Sequence, residues 1–231
     1  MRIVTNEAKI ERGARLGKIA TFAGLGLLAG GLVISLVFQE SPLLWLSFLC
    51  LVLGLLVSSV GTLNMNRWVR EPRADQALAQ GLKGFDDQYV LYNHTLPAPH
   101  VLLGSTGLYV LTAMGQDGAI RYSGGKFRRD FSLGRVVRFM ADEGLGRPLA
   151  EAEGQVQAMS DYLEENGFDD SLAIQNLLVF YSPKAQLSVS DPPLPVVVPK
   201  TLKKAIRKVQ DGKLAADQYR ELLNLFENDL E

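Results

Sequence analysis

The chain has 231 residues, 47% of them hydrophobic, a formal net charge of −1 and one cysteine. A lone cysteine excludes an intramolecular disulfide framework and a cysteine-based metal cluster. The small net charge hides an uneven layout. Residues 1–18 carry five basic and two acidic residues, whereas residues 74–231 carry 16 basic and 21 acidic. An acidic domain is a poor default partner for nucleic acid, whose phosphates need clustered Lys and Arg.

Residues 1–18 read as a basic cytoplasmic arm. Residues 19–38 and 43–63 contain no charged side chain. Each is about 20 residues long, the length that spans a hydrocarbon core at about 1.5 Å per residue. The link between them, Gln39–Pro42, holds Glu40 and no Lys or Arg, so the two runs predict a transmembrane helical hairpin over 19–63. Basic flanks on the outer sides, with Arg67, Arg70 and Arg73 after the second run, put both termini in the cytoplasm by the positive-inside rule. Trp45 and Trp68 suit the interfacial belt. A signal peptide is rejected: the first run is too long and no small-x-small cleavage site follows it. Neither run holds an ionisable side chain, which predicts an anchor rather than an ion pathway. Gly26 and Gly30 in the first run, and Cys50, Gly54 and Ser58 in the second, recur every four residues as a small-residue packing face. Packing of the two spans on each other is the favoured use of that face, and dimerisation is the alternative. Residues 64–73 form a basic juxtamembrane linker, explained by the positive-inside signal and also suited to anionic headgroups.

From residue 74 to 231 the sequence predicts one cytoplasmic domain. Ala74, Leu78 and Leu82 mark a short amphipathic helix that Gly84 closes. Tyr89–Leu96 is a first strand. His100–Leu103 and Leu108–Ala113 are two more, joined by a tight turn at Gly104–Gly107. Ala119–Ser123 and Lys126–Ser132 are further strands around the turn at Gly124-Gly125. Pro148–Asn166 is a long helix ended by Gly167. Leu172–Tyr181 is a buried strand, Ser182–Pro195 a loop, and Val196–Val198 a short strand. Lys200–Val209 and Leu214–Leu230 are terminal helices, and the apolar side of the last fits either this domain or another chain.

The order helix, three antiparallel strands, helix, strand is that of a restriction-endonuclease-like, PD-(D/E)XK core, an α/β (α+β) fold of αβββαβ order. Within it lie Ala74-Asp75, Pro99-His100, Gly107, Thr112-Ala113-Met114, Gly118 and Arg147-Pro148-Leu149. In this order and spacing the stretch from Asp75 to about Val209 resembles the nuclease-related domain (NERD) family. That family typically shows Gly-Glu, Asp-His, Gly, Glu-x-Lys, Gly and Asn-Pro-Leu at these places. The framework positions His100, Gly107, Gly118, Pro148 and Leu149 match. The resemblance implies that an Asp and a Glu would hold a divalent cation such as Mg²⁺, with a Lys orienting the attacking water. This chain has Pro99, Thr112 and Met114 at those places, and only Asp75 keeps a carboxylate. The expected consequence is a domain with no catalytic residues, no metal site and no cofactor. Mg²⁺ enters only if a relocated site makes the protein a membrane-tethered nuclease.

Asp86, Asp87 and Asp117 sit at turns, where Asx hydrogen bonds explain them. His94 and His100, the only histidines, lack the companions of a metal site. Two basic stretches are candidate binding residues: Lys126, Arg128 and Arg129, with Arg135 and Arg138 beyond, and Lys203, Lys204 and Arg207 on a terminal helix. Both are also ordinary solvated faces. The whole therefore reads as a two-pass, bacterial-type inner-membrane protein. Its partners are the lipid bilayer and an unknown protein, with nucleic acid a less favoured ligand. The expected function is binding or scaffolding, the alternatives being the tethered nuclease and a nucleic-acid tether.

Overall fold

A computed structural model describes residues 1–38, 44–130, 144–168, 172–208 and 214–228. These residues divide into two compact units, one made of Glu7–Arg73 and the other of Met1–Asn6 with the chain from Ala74 onward.

The first unit is an antiparallel helix pair, α1 (Glu7–Val37) and α2 (Leu44–Trp68). Both are long and apolar enough to cross a membrane, and only 17% of each apolar window is buried. Phe22 is 74% and Trp45 80% exposed. Glycine sets how closely the two backbones approach. A Cβ added at Gly24 would meet the Ser58 nitrogen at 2.6 Å, one at Gly61 the Thr21 nitrogen at 2.5 Å, and one at Gly54 the Leu28 nitrogen at 2.9 Å. The Ser47 hydroxyl donates to the Gly31 carbonyl at 2.8 Å and ties the far end. The seam of α1 is therefore Gly17, Gly24 and Gly31, seven residues apart, facing Ser47, Gly54 and Gly61 on α2. Of the expected packing face, Gly54, Ser58 and Cys50 lie at this seam. Gly26 and Gly30 do not, since a Cβ at either meets nothing within 4 Å. A spacing of four suits two helices crossing steeply, whereas a long antiparallel pair keeps contact only through a repeat near seven.

The second unit is a mixed α/β domain. Its main sheet runs β1 (Arg2–Thr5), β2 (Val90–Asn93), β3 (His100–Gly104), β4 (Gly107–Met114), β7 (Ile174–Phe180), β9 (Val196–Val197) in that spatial order. β2, β3 and β4 form an antiparallel meander, while β1 lies parallel to β2, and β7 parallel to both β4 and β9. A second sheet orders β6 (Lys126–Arg129), β5 (Gly118–Ser123) and β8 (Ala185–Val189). The helices are α3 (Ala74–Gly81), α4 (Pro148–Glu165), α5 (Pro199–Lys208) and α6 (Ala216–Asn228).

Strand alternation sorts the core into two layers. Leu91, Leu102, Tyr109, Leu111, Leu177 and Val179 face one side and pack with Leu78 and Leu82 at α3 and with Leu202 and Ile206 of α5. Val90, Tyr92, Val101, Leu103, Leu108 and Val110 face the other and pack with Met159 and Leu163 of α4 and with Leu222 and Phe226 of α6. The terminal helix thus packs on its own domain. From α3 onward the order is helix, three strands, the β5–β6 pair, helix, strand, with the fourth sheet strand parallel to the third.

Three expectations change. The N-terminal arm of 1–18 is instead a strand followed at once by helix: Arg2–Thr5 adds to β2, and α1 starts at Glu7. Val4 packs on the apolar layer of α4 and α6, and Met1 on the opposite layer, so a strand of four residues is held by burial that its charge pattern conceals. The loop expected over 182–195 contains β8, whose Ala185 and Leu187 join the apolar cluster of Met114 and Phe180. The first domain strand stops at Asn93 because His94 takes a φ of 61°, outside the extended region. The Gln39–Pro42 tip, Phe131, Arg135 and Arg138 lie outside the described residues.

Candidate functional site

The β3–β4 hairpin organises the site. Gly104 pairs with Gly107 across the turn, and Gly107 has a φ of +145°, which a side chain would strain. The Tyr89 ring fills the space over Gly104. Thr106 Oγ1 lies 2.9 Å from the hydroxyls of both Tyr89 and Tyr109, joining the three across the turn.

At the start of β3, His100 is 3% exposed, and its Nδ1 lies 2.9 Å from Asn93 Oδ1. Asn93 Nδ2 donates to Thr5 Oγ1 at 3.1 Å, which leaves Oδ1 to accept from His100. The His94 and His100 rings meet edge to face at 4.8 Å. A buried polar chain therefore links β1, β2 and β3, and the Asn6 nitrogen donates to the Asn93 carbonyl just before α1 begins. Nothing in a linear reading pairs Asn93 with Thr5, 88 residues away.

The positions that the sequence resemblance singles out come next. Asp75 lies in the first turn of α3 and is 7% exposed. Pro99 precedes β3, and its carbonyl accepts from the His94 nitrogen at 2.7 Å. Val101 pairs with Val110, so continuing that register sets Pro99 beside Thr112. Thr112 is fully buried and donates to Gln155 Oε1 of α4 at 3.2 Å. Met114, 3% exposed, packs with Ile120, Ala152, Leu178 and Phe180. The topology thus brings Pro99, Thr112 and Met114 to one end of the sheet beneath α4. The donors there do not suit a divalent cation. Pro99 and Thr112 offer no anionic oxygen, the Thr112 hydroxyl is bonded to Gln155, and Met114 sits among apolar side chains. Among the described residues no group of three or more His, Cys, Asp or Glu could hold a metal. Gln155 was missed by the sequence reading, because only the packing of α4 over β4 brings it to Thr112.

The basic stretches divide sharply. Arg129 is 6% exposed at its side chain and is held by Asp117, with Nε donating to the Asp117 carbonyl at 2.6 Å and the guanidinium pairing with its carboxylate. Arg121 pairs with Asp130. Lys126 and Arg128 point to solvent. On α5, Lys203 Nζ donates to the Gly84 carbonyl at 2.7 Å and lies 5.3 Å from the Phe85 ring centre, which caps the end of α3. Arg207 lies 5.8 Å from the same ring centre, and Lys204 is exposed. Asp86 accepts from the Gln88 nitrogen at 3.1 Å, the expected Asx turn. Asp117 is instead the partner of Arg129.

Tyr92 carries the largest resolved proton-affinity shift. Its burial pushes the phenol up to about 12, with Arg2 pulling the other way. Tyr109 and Tyr219 move upward for the same reason, and Arg2 is raised by its hydrogen bond to Glu227. All four shifts belong to packing around the sheet. Comparison with family models, with curated proteins and with solved structures finds no match.

Proposed function

We propose that the protein is a membrane-anchored binding or scaffolding module. In this reading α1 and α2 form a two-pass hairpin in a bacterial inner membrane, and the mixed α/β unit is a cytoplasmic, catalytically inactive NERD-like domain with a restriction-endonuclease-like core. The hairpin supports the first half. Large apolar side chains that face outward around both helices find no aqueous solvent they suit, whereas a bilayer matches them. The helix–meander–helix–strand order supports the second half, together with the parallel pairing of β7 on β4.

One observation carries the inactivity. Met114 stands where the family's lysine would be, inside an apolar cluster, and Thr112 beside it has its hydroxyl committed to Gln155. Side chains of this kind offer neither an anionic oxygen to a metal nor an ionisable group to an attacking water. Fold and activity are separable, so the scaffold persists with a surface role. The test uses the full chain in detergent, incubated with plasmid and single-stranded DNA in Mg²⁺ or Mn²⁺. Neither cutting nor retention on a gel is expected. Metal-dependent cutting that survives purification controls contradicts the reading and favours the tethered nuclease. Retention without cutting favours a nucleic-acid tether.

A further inference from the structure

Helix α5 carries five cations in ten residues, Lys200, Lys203, Lys204, Arg207 and Lys208, and no acidic residue. At about 100° per residue they fill an arc of about 140°. Leu202 and Ile206, both fully buried, point the opposite way. The helix is fixed on the domain by that apolar pair and by the Lys203 cap on α3. Its orientation is therefore set before any ligand arrives. Lys200, Lys204, Arg207 and Lys208 remain exposed, and so does Lys83 beyond the end of α3. The domain as a whole is acidic, yet none of its acidic residues lies on α5. The β6 stretch is not its equal, because Arg129 is buried against Asp117 and Arg121 is paired.

Covalent geometry limits where the patch can go. α5 begins against α3: a Cβ added at Gly81 would meet the Pro199 carbonyl oxygen at 2.6 Å. α3 follows α2 after only residues 69–73, which reach at most about 17 Å when extended. Gly81 is the last of the eight residues of α3, so the helix adds about 12 Å to that reach, and a domain held on so short a tether stands at high effective concentration toward the bilayer the hairpin would span. Each Lys or Arg near an anionic leaflet is attracted within a Debye length of about 8 Å at physiological salt.

We infer that the exposed cationic face of α5 rests on the anionic lipid headgroups of the leaflet beside the domain. The inference depends on α1 and α2 spanning the membrane. A nucleic-acid ligand fits less well, since the domain that carries the helix is acidic overall.

The test uses the full chain with Cys50→Ser and Thr201→Cys, the new thiol carrying an environment-sensitive fluorophore. Thr201 is exposed and neutral, so every cation is kept. The protein is reconstituted into vesicles of phosphatidylcholine alone or with phosphatidylglycerol. The expected result is a blue-shifted, brighter emission with phosphatidylglycerol. That shift is lost in about 1 M salt, where the Debye length falls to about 3 Å, and lost again in the Lys204→Glu, Arg207→Glu, Lys208→Glu triple variant. Equal emission in both vesicles, with the protein still embedded after an alkaline wash, overturns the inference and leaves the anchor reading intact. Release of the protein by that wash overturns the anchor reading itself. A shift seen only on adding an oligonucleotide overturns the inference in favour of a nucleic-acid face.

Discussion

Thr112 and Met114 lie two places apart on β4, on the side that faces α4, and they decide what this end of the sheet can do. A lysine at 114 has to place an ammonium among Ile120, Leu178 and Phe180. Met114→Lys is expected to cost roughly 3 kcal/mol of stability, since the charge is buried without a partner. Burial lowers the lysine pKa in the folded state, so the folded form binds fewer protons than the unfolded form. The variant should therefore regain stability as pH rises toward the ordinary lysine range. Denaturant unfolding at neutral and alkaline pH checks this, and an undiminished midpoint contradicts it. Residue type needs no geometry, so the sequence alone showed that Pro99, Thr112 and Met114 carry neither a carboxylate nor an amine. It could not reveal that Gln155 holds the Thr112 hydroxyl or that Asn93 bridges Thr5 and His100. Those contacts join residues far apart in the chain and exist only once helix and strand have packed.

Elements differ in how well they could be read. β3 and β4 are apolar, rich in strand formers and joined by a turn with a glycine at each end, so their hairpin was legible. β1 was not: four residues beside a charged helix carry too little pattern, and their pairing partner lies 88 residues away. Its role yields a prediction. A domain of residues 74–231 should unfold at lower denaturant than the same domain with residues 1–6 fused through a flexible linker, because β2 otherwise loses its parallel neighbour. Equal midpoints would mean that β1 adds nothing. The hairpin tells a similar story, for the small residues were visible but their seam was not. Gly24→Leu should disrupt α1–α2 packing, whereas Gly26→Leu and Gly30→Leu should leave it intact. Oxidative crosslinking of engineered cysteine pairs across the two helices separates the cases.

At the scale of the whole molecule, the chain enters the sheet, leaves it for two long apolar helices, and returns to complete the sheet. Arg and Lys flank the two runs on their outer sides, the charge layout from which the proposed cytoplasmic placement of the domain is drawn. The two long apolar helices were legible in composition, since length and absence of charge are properties of the linear chain.

The most direct measurement is thiol labelling with a membrane-impermeant maleimide in bacterial cells expressing the chain, using Lys126→Cys on the exposed face of β6 and the native Cys50 in α2. The account predicts that Lys126→Cys reacts in inside-out vesicles and not in intact spheroplasts, while Cys50 reacts in neither until the membrane is dissolved. Labelling of Lys126→Cys in intact spheroplasts, or of Cys50 before detergent is added, would contradict a cytoplasmic domain held by a membrane-spanning hairpin.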